Sequence, residues 1–297
     1  MSYDLYFYKR KESRLSEENF AAHLSANLRF TTTDHPKQWY YENPQTAVNF
    51  WIDWNEPNTA QEDIDMFDKF EDFVSLNFCV GINFIRPRFY AFEVFPIIEQ
   101  LIIENDLYVI DPQDEIDPDT PRKFPTGYLR DQWIRHNDKV CAQHFVEYQR
   151  EFMPPDKSNQ MWWFLFNREE IQNNLTEDIF VTGHLLIKGK EDDKLYTVCV
   201  WPEHIPIIIP PVDYVIVRKT IKTLFSTREE SGLVSYRVIM DKFGEYFEPF
   251  PHEIPDLKVL RQNNADRISK EFNKLKVVPV KDFGTGVSFD RISNVRP

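Results

Sequence analysis

The chain has 297 residues, of which 42% are hydrophobic and 15% aromatic, and its net charge at pH 7 is −13. This composition indicates a globular protein with room for one large domain or two of ordinary size, and it excludes a disordered chain. The chain has only eight glycines. Their scarcity argues against an enzyme that cradles phosphates in glycine-rich loops, and the sequence has no Walker loop, dinucleotide-binding motif or nucleophile elbow.

The first part of the chain predicts three strands and one helix. Side chains alternate along Ser2–Tyr8 with the period of two that is typical of a strand. Ser16 is a favourable N-cap for a helix over residues 17–28. Residues 39–41 and 47–54 then predict two strands on either side of a turn.

We expect the stretch 75–112 to form the centre of the N-terminal half. Residues 76–84 alternate between apolar and small or polar side chains, which indicates a strand. Apolar residues then recur at intervals of three and four over 92–105, which predicts a helix starting close to Pro96, since proline is tolerated in the first turn. Residues 107–110 predict a short buried strand. This order of elements predicts an α+β fold in which helices cover a mainly antiparallel sheet.

The second half predicts another α+β unit behind a long linking helix at residues 128–152. Strands are predicted at 161–166, 179–188, 195–201 and 277–280, a helix at 263–275, and strand or helix at 214–224 and 234–240. We therefore expect an acidic N-terminal domain over 1–118, a linker with the long helix over 119–158, and a C-terminal domain over 159–297.

The cysteines and the hydropathy pattern predict a cytoplasmic protein. Cys79, Cys141 and Cys199 are odd in number and far apart, and each lies in an apolar pattern, which indicates buried thiols in a reducing compartment. The start of the chain lacks the charged and apolar regions of a signal peptide. Prolines or Glu99 interrupt the longest apolar runs, so no membrane span is predicted.

The acidic residues are concentrated in the first half of the chain. Residues 1–150 contain 26 acidic and 15 basic residues, whereas residues 151–297 contain 22 and 20. A nucleic acid is a poor partner for such a surface, because phosphate binding requires basic residues, whereas a basic protein suits it. Two acidic segments supply the candidate partner-binding residues: Asp53, Glu56, Glu62, Asp63, Asp65, Asp114, Glu115, Asp117 and Asp119.

The sequence predicts no catalytic residue, no metal ligand and no cofactor site. The seven histidines lack the spacing and adjacent glutamate of a zinc-protease helix. Cys141 and His144 are one helical turn apart, but a buried structural thiol is the simpler interpretation of Cys141. The acidic run from Asp111 lacks the glycine and the glutamate that an EF-hand requires at positions six and twelve.

Two stretches carry a resemblance to a known class. Ser2–Tyr8, with the sequence SYDLYFY, and Asp106–Gln113, with the sequence DLYVIDPQ, resemble segments of uncharacterised bacterial cytoplasmic proteins of the polymorphic-toxin immunity type. The resemblance covers roughly the first 115 residues, and its motifs are structural. It implies a stoichiometric inhibitor that caps the active site of a cognate toxin.

The sequence thus predicts a non-enzymatic binding protein of immunity type, whose acidic segments meet a basic partner. Two alternatives stay open. A hydrolase that uses carboxylates and a cation would require clustered acids with shifted pKa values in a pocket. A scaffold subunit of a larger assembly would use exposed aromatic residues as its contact patch.

Overall fold

The computed structural model describes residues 2–222 and 227–296. They form two compact units, Met1–Arg150 with Ser293–Pro297 and Glu151–Ile292. Antiparallel pairing and helices occur in both, so the predicted α+β class is confirmed. Among the described residues, no helix combines the length and apolarity needed to cross a bilayer.

The first unit is a six-stranded antiparallel sheet with four helices. Its sheet order is β2-β3-β4-β5-β1-β6, and every pair in it is antiparallel, as predicted. Its elements are β1 Ser2–Arg10, α1 Glu17–Ala26, β2 Thr31–Thr32, β3 Gln38–Asn43, β4 Val48–Trp54, α2 Gln61–Phe67, β5 Phe73–Asn83, α3 Phe89–Glu104, β6 Tyr108–Ile110 and α4 Tyr128–Gln143.

The apolar face of this sheet packs against α1 and α3. Leu5 lies opposite Val80, and Val80 lies opposite Ile52, so one buried row crosses three strands. Phe20 of α1 packs edge-on against Phe78 of β5 at 4.8 Å between ring centroids. The helix begins as predicted, because the Ser16 hydroxyl accepts a hydrogen bond from the amide of Asn19.

The helix within the stretch 75–112 begins earlier than the position of Pro96 predicts. It begins at Phe89, so Pro96 lies in the helix interior instead of the first turn. Val94, Ile98 and Leu101 are all buried. Burial of this stripe against the sheet outweighs the hydrogen bond that proline removes, since an interior proline costs about 3 kcal/mol and one buried aliphatic side chain returns about 1.5–3 kcal/mol.

The predicted linking helix belongs to the first unit. It ends at Gln143 instead of continuing to 152. Trp133 is fully buried with its ring 6.4 Å from that of Phe95 on α3, and the side-chain amide of Asn137 donates to the carbonyl oxygens of Phe84 and Arg86. These contacts fix α4 on α3, and the boundary between the compact units falls at 150–151, inside the stretch 119–158 that was predicted as linker and long helix.

Among the described residues, the second unit contains a five-stranded sheet, a four-stranded sheet and four α-helices, and β7 pairs with β17 in a separate two-stranded sheet. From residue 151 onward the elements are β7 Glu151–Phe152, α5 Pro155–Asn173, β8 Phe180–Val181, β9 His184–Gly189, β10 Leu195–Pro202, β11 Ile207–Ile209, β12 Tyr214–Lys222, β13 Thr227–Ser235, α6 Tyr236–Phe243, β14 Glu248–Pro249, β15 Lys258–Leu260, α7 Gln262–Phe272, α8 Val280–Phe283, β16 Gly284–Val287 and β17 Ile292–Ser293. The strand order of the five-stranded sheet is β13-β12-β10-β9-β16, and that of the four-stranded sheet is β14-β15-β11-β8. Each of these two sheets has one parallel pair of strands.

Trp201 lies at the centre of the larger core in this unit. It is fully buried, with the rings of Phe243, Phe247 and Phe272 between 4.8 and 6.2 Å from it. Its indole nitrogen donates to the carbonyl of Ile205 at 3.0 Å, which satisfies the one polar atom of the ring. These aromatic side chains come from β10 and from α6, α7 and the turn after α6, so they hold both helices against the sheet.

Two predicted elements of the second half were wrong. Residues 161–166 are helical within α5, because Met161, Phe164 and Leu165 are buried whereas Trp163 and Phe166 are exposed, at the spacing of a helix. Residues 277–280 form an isolated bridge at Val278 and the start of α8 instead of a strand.

The remaining predictions in this half are confirmed with altered bounds. The predicted strand at 179–188 is two strands in different sheets, β8 and β9. It breaks at Thr182, whose hydroxyl bonds both the amide and the carbonyl of Val200. The segment 214–224 is strand as far as Lys222, and Thr223 and Leu224 lie outside the described residues. Residues 234–240 contain both the end of β13 and most of α6.

Gly81 offers a test of how closely the sheet of the first unit is packed. A Cβ added at Gly81 would overlap the indole of Trp51 on the adjacent strand, whereas one added at Gly286 would meet nothing within 4 Å. We expect Gly81→Ala to lower the free energy of unfolding by about 1–3 kcal/mol, since overpacking forces side chains off their rotamers. Urea denaturation measures this, with Gly286→Ala as the matched control, and equal stability of the two variants would contradict it.

Candidate functional site

Helix α2 displays acidic side chains that form no ion pair with the described residues. Glu62, Asp63 and Asp65 are exposed, and no residue of this helix is buried. Among the described residues, none of the three carboxylates forms an ion pair. The carboxylate of Asp65 accepts one hydrogen bond, from the side-chain amide of Gln61 at 2.8 Å. Charged groups without a partner in their own chain are free to meet opposite charges elsewhere.

Aromatic contacts attach this helix to the outer face of the sheet. Phe67 at the end of α2 packs against Tyr6 of β1, with ring centroids 4.8 Å apart, and Phe70 packs edge-on against Tyr8 at 5.6 Å. Burial, Cys79 and the nearby carboxylates of Asp4 and Asp63 raise the pKa of Tyr6 to about 12. The charge of α2 therefore lies close to the face of the sheet that points away from the core.

That outer face carries two further carboxylates. Asp53 on β4 pairs with Cys79 on β5, which pairs with Tyr6 on β1, so their side chains form one row across three strands. Burial raises the pKa of Asp4 on the same face. Burial, Asp4 and Asp53 together raise the pKa of the Cys79 thiol to about 12. A low-dielectric surface with several carboxylates close together disfavours further negative charge and attracts positive charge.

Aromatic rings lie beside these carboxylates. Tyr40 on β3 pairs with Trp51 on β4, and Trp51 pairs with Gly81 on β5, beside Asp4 on β1. Tyr40 and Trp51 are half-buried. We name the surface formed by Asp4, Asp53, Glu62, Asp63 and Asp65, together with these rings, the acidic face.

The other predicted residue of the first acidic segment, Glu56, lies exposed beyond β4. Its carboxylate is 2.5 Å from the ammonium of Lys37, whose Nζ also lies 5.0 Å from the ring centroid of Trp54. Glu56 is therefore already neutralised by a neighbour at the surface, in a pair of a kind that contributes about 0–1 kcal/mol to stability.

The second predicted acidic segment has a different role at Asp114. This side chain is 3% exposed, forms an ion pair with Arg122 and accepts from the Tyr128 hydroxyl at 3.0 Å and the amide of Ile116 at 2.9 Å. Asp114 thus ties the loop to the segment that leads into α4 and offers no free charge to a partner. Its ion pair with Arg122 would have to break before Asp114 could bind a partner.

The three other predicted residues of this loop lie at the surface. Glu115 and Asp119 are exposed, and Asp117 is half-buried with a carboxylate oxygen 3.9 Å from Arg122. Only Glu115 and Asp119 carry charge that no ion pair of the described residues neutralises. The loop therefore presents two unpaired exposed carboxylates against three on α2, and we do not include it in the acidic face.

The pKa values of the two buried carboxylates of this loop, Asp111 and Asp114, are shifted in opposite directions. Burial raises the pKa of Asp111, despite hydrogen bonds from the Tyr3 hydroxyl and the amide of Gln113. Burial would also raise the pKa of Asp114, but the amide of Ile116, the Tyr128 hydroxyl and Arg122 outweigh it and hold that pKa below its ordinary value. Asp114 is therefore the more firmly ionised of the two.

The cysteines and the histidine near Cys141 show no sign of nucleophilic chemistry. Cys141 is buried, and desolvation raises the pKa of its thiol to about 11. His144 lies one turn on and pairs with Glu147 at 2.7 Å instead of with the thiol. Desolvation also raises the pKa of Cys199. A raised pKa keeps each thiol protonated and poorly nucleophilic at neutral pH.

The second unit contains a polar cavity that sequence reasoning missed. Lys157 and Gln160 of α5, His184 of β9, Thr197 of β10 and Asp213 all line it. These residues are separated by up to 56 positions along the chain. No spacing motif joins them, so the sequence carried no signal that could have assembled this site.

The described residues contain no group of three or more histidine, cysteine or acidic side chains arranged to hold a metal ion. Comparison of the chain with protein-family models, with curated proteins and with solved structures finds no match in any of the three. The acidic face and the polar cavity therefore have to be interpreted from their own chemistry.

The buried carboxylate of Asp114 gives a prediction for stability against pH. A carboxylate whose folded pKa is depressed contributes stability that is complete above its unfolded pKa of about 4 and is lost as the pH falls towards the folded value. We expect Asp114→Asn to lower the free energy of unfolding at pH 7 by about 1–3 kcal/mol, with the deficit shrinking below about pH 4.

Urea titrations from pH 7 to pH 3 measure this effect. Asp119→Asn is the matched control, since Asp119 is exposed in the same loop and forms no ion pair with the described residues. A deficit for Asp114→Asn that stays constant over this pH range would show that the lost ionised carboxylate is not its cause.

Proposed function

We propose that this protein is a non-enzymatic binding protein that engages a basic protein partner through the acidic face of its first unit. The observation that carries the proposal is the set of α2 carboxylates, Glu62, Asp63 and Asp65, which are exposed and outside every ion pair of the described residues. They lie beside further carboxylates on the same sheet face.

Electrostatics and aromatic side chains contribute differently to such an interface. Complementary charge steers diffusional encounter and suppresses wrong partners, and its effect falls as salt screens it. Half-buried rings such as Trp51 and Tyr40 supply contact area of the kind that dominates interface energetics. The acidic face combines the unpaired carboxylates of α2 with carboxylates and half-buried rings of the sheet.

The class of partner follows from the resemblance of the first 115 residues. An immunity protein neutralises its toxin by covering the active site, and toxin nucleases present basic clefts because their substrates are polyanions. We therefore propose a bacterial toxin domain with a basic active-site surface as the partner, and the cytoplasm as the place where it is neutralised. On this proposal the protein acts stoichiometrically, so protection depends on the ratio of the two proteins.

The test reverses charge on the acidic face. We expect the triple variant Glu62→Lys, Asp63→Lys and Asp65→Lys to bind a basic partner about 10–100-fold more slowly at low salt, because the attraction that steers association becomes repulsion. The open reading frame next to that of this chain is co-expressed as the partner, and association rates are measured at several salt concentrations alongside growth.

A matched control makes the same change in net charge on the second unit. Glu169, Glu245 and Glu253 are exposed there and form no ion pair among the described residues, so all three are changed to Lys. Protection and fast association with the control but not with the α2 variant support the proposal. Equal protection by both variants, with an unchanged salt dependence of association, would rule out the acidic face as the interface.

A further inference from the structure

The polar cavity of the second unit has both buried and half-buried lining residues. Its volume is about 270 Å³. Pockets that hold drug-sized ligands measure about 300–1,000 Å³, so this cavity suits a smaller molecule. Met161 and Phe164 of the lining are buried, whereas five lining residues are half-buried: Lys157, Gln160, Pro211, Val212 and Asp213. A molecule in the cavity therefore meets chiefly these five side chains.

Two opposite charges set the electrostatic character of the cavity. Lys157 pairs with Asp213, and their side chains are 30% and 31% exposed. The third titratable residue of the lining, His184, is buried, and desolvation lowers its pKa to about 3, so its imidazole is neutral at physiological pH. The cavity therefore presents one positive and one negative group and has no net charge.

Hydrogen bonds hold the Asp213 carboxylate in one orientation. Its Oδ2 accepts from the ammonium of Lys157, from the amide of Thr197 at 2.7 Å and from the hydroxyl of Thr197 at 3.0 Å. The backbone amide of Asp213 donates to the Thr197 hydroxyl oxygen at 3.2 Å, and its backbone oxygen accepts from the amide of Tyr236 at 3.0 Å. A ligand would meet a carboxylate that is already positioned, which lowers the cost of ordering the site on binding.

The same ion pair leaves hydrogen-bonding capacity unused. Within the described residues, Asp213 Oδ1 accepts no hydrogen bond, and it is not one of the buried unpaired atoms, so solvent reaches it. An ammonium group has three donors, and Lys157 uses one of them, on Asp213 Oδ2. One accepting oxygen and two N–H groups of the ion pair thus remain available.

Gln160 adds an uncharged group to this pair. It lies three residues beyond Lys157 on α5, about one helical turn, and lines the same cavity. Its side-chain amide forms no hydrogen bond with the described residues, and neither its oxygen nor its nitrogen is among the buried unpaired atoms. An amide offers both donors and an acceptor, so Gln160 can bond either end of a dipolar ligand.

We propose that this cavity binds a free α-amino acid with a small apolar side chain. The ammonium group of the ligand lies on Asp213 Oδ1, its carboxylate lies on the free N–H groups of Lys157, and Gln160 bonds one of these two groups. Its side chain lies against Pro211 and Val212, the two half-buried apolar residues of the lining. The volume of the cavity limits this side chain to a small one.

The charges of the cavity favour a zwitterion over other small molecules. A single anion or cation is attracted by one member of the ion pair and repelled by the other. A zwitterion makes two attractive contacts, and it need not break the bond between Lys157 and Asp213, since each has capacity to spare. An uncharged amide can use the same donors and acceptor, but it lacks the Coulomb attraction between full charges that each contact of a zwitterion adds.

The test titrates L-valine into the full chain at pH 7, with acetate, ethylammonium and acetamide as comparisons that each keep only part of its chemistry. Calorimetry and ligand-observed NMR measure binding. We expect L-valine to bind saturably, with a dissociation constant no weaker than millimolar and about tenfold or more below that of each comparison, because only the zwitterion pairs with both charges.

Lys157→Gln changes the preference of the cavity. It leaves Asp213 as the one charged group of the lining, so we expect the affinity for L-valine to fall about tenfold or more and ethylammonium to bind at least as tightly as L-valine. Lys276→Gln is the matched control, because Lys276 is exposed on the same unit and forms no ion pair with the described residues. We expect it to leave all affinities unchanged.

Gln160→Leu tests the site without touching the ion pair. We expect about tenfold weaker binding of L-valine through loss of a hydrogen bond to a charged group, with an unchanged melting temperature. Asn173→Leu, at an exposed position near the other end of α5, is its control and keeps the affinity. Binding of L-valine no tighter than that of acetamide, no saturable binding at millimolar concentration, or full affinity in both Lys157→Gln and Gln160→Leu would each overturn the proposal.

Discussion

The register of β5 is the constraint on which the first unit depends. β5 pairs with β4 on one side and β1 on the other, so its alternation decides which side chains of three strands share a face. Val80 and its neighbours across the sheet point to the core, whereas Cys79 and Gly81 point outward. A slip of one residue would bury Asp53 and expose Ile52, so the acidic face exists because the apolar face is buried.

The same chain uses carboxylates in two ways, and hydrogen bonds decide between them. Glu93 is 3% exposed and accepts from the hydroxyl of Tyr41 and the amide of Asn43, both at 2.8 Å. Asp114 is buried with comparable support from Arg122 and Tyr128. Buried charges of this kind require such partners, because a buried charge without one is far more costly than a paired one. The α2 carboxylates lack partners and stay in water, where they cost little and remain available for recognition.

The second unit places an unsatisfied group beside well-satisfied ones. Lys219 is 3% exposed, yet its ammonium donates to the carbonyl oxygens of Asn273 and Leu275 after the end of α7 and pairs with Glu230 at 3.3 Å. Trp201 likewise has its nitrogen bonded. By contrast, the buried Nδ1 of His184 has no hydrogen-bond partner among the described residues, and the same holds for Asn159 Oδ1 and His204 Nδ1 in this unit. A buried polar atom without a partner calls for an explanation, such as an ordered water, an ion or a catalytic role.

The sequence by itself determined the α+β class, the antiparallel sheet of the first unit, the Ser16 cap and the excess of acidic residues in the first half. It could do so because the period of the hydrophobic pattern, the chemistry of a helix cap and the composition are all local properties of the chain. It misjudged α5, where a dense apolar run reads equally as strand or helix, and Pro96, where burial of a whole stripe outweighs one lost hydrogen bond. Only the tertiary structure separated buried Asp114 from exposed Asp63, and only it brought Lys157, His184 and Asp213 to one cavity. Burial and the meeting of distant residues are set by packing between elements, and spacing along one chain does not encode which of them will touch.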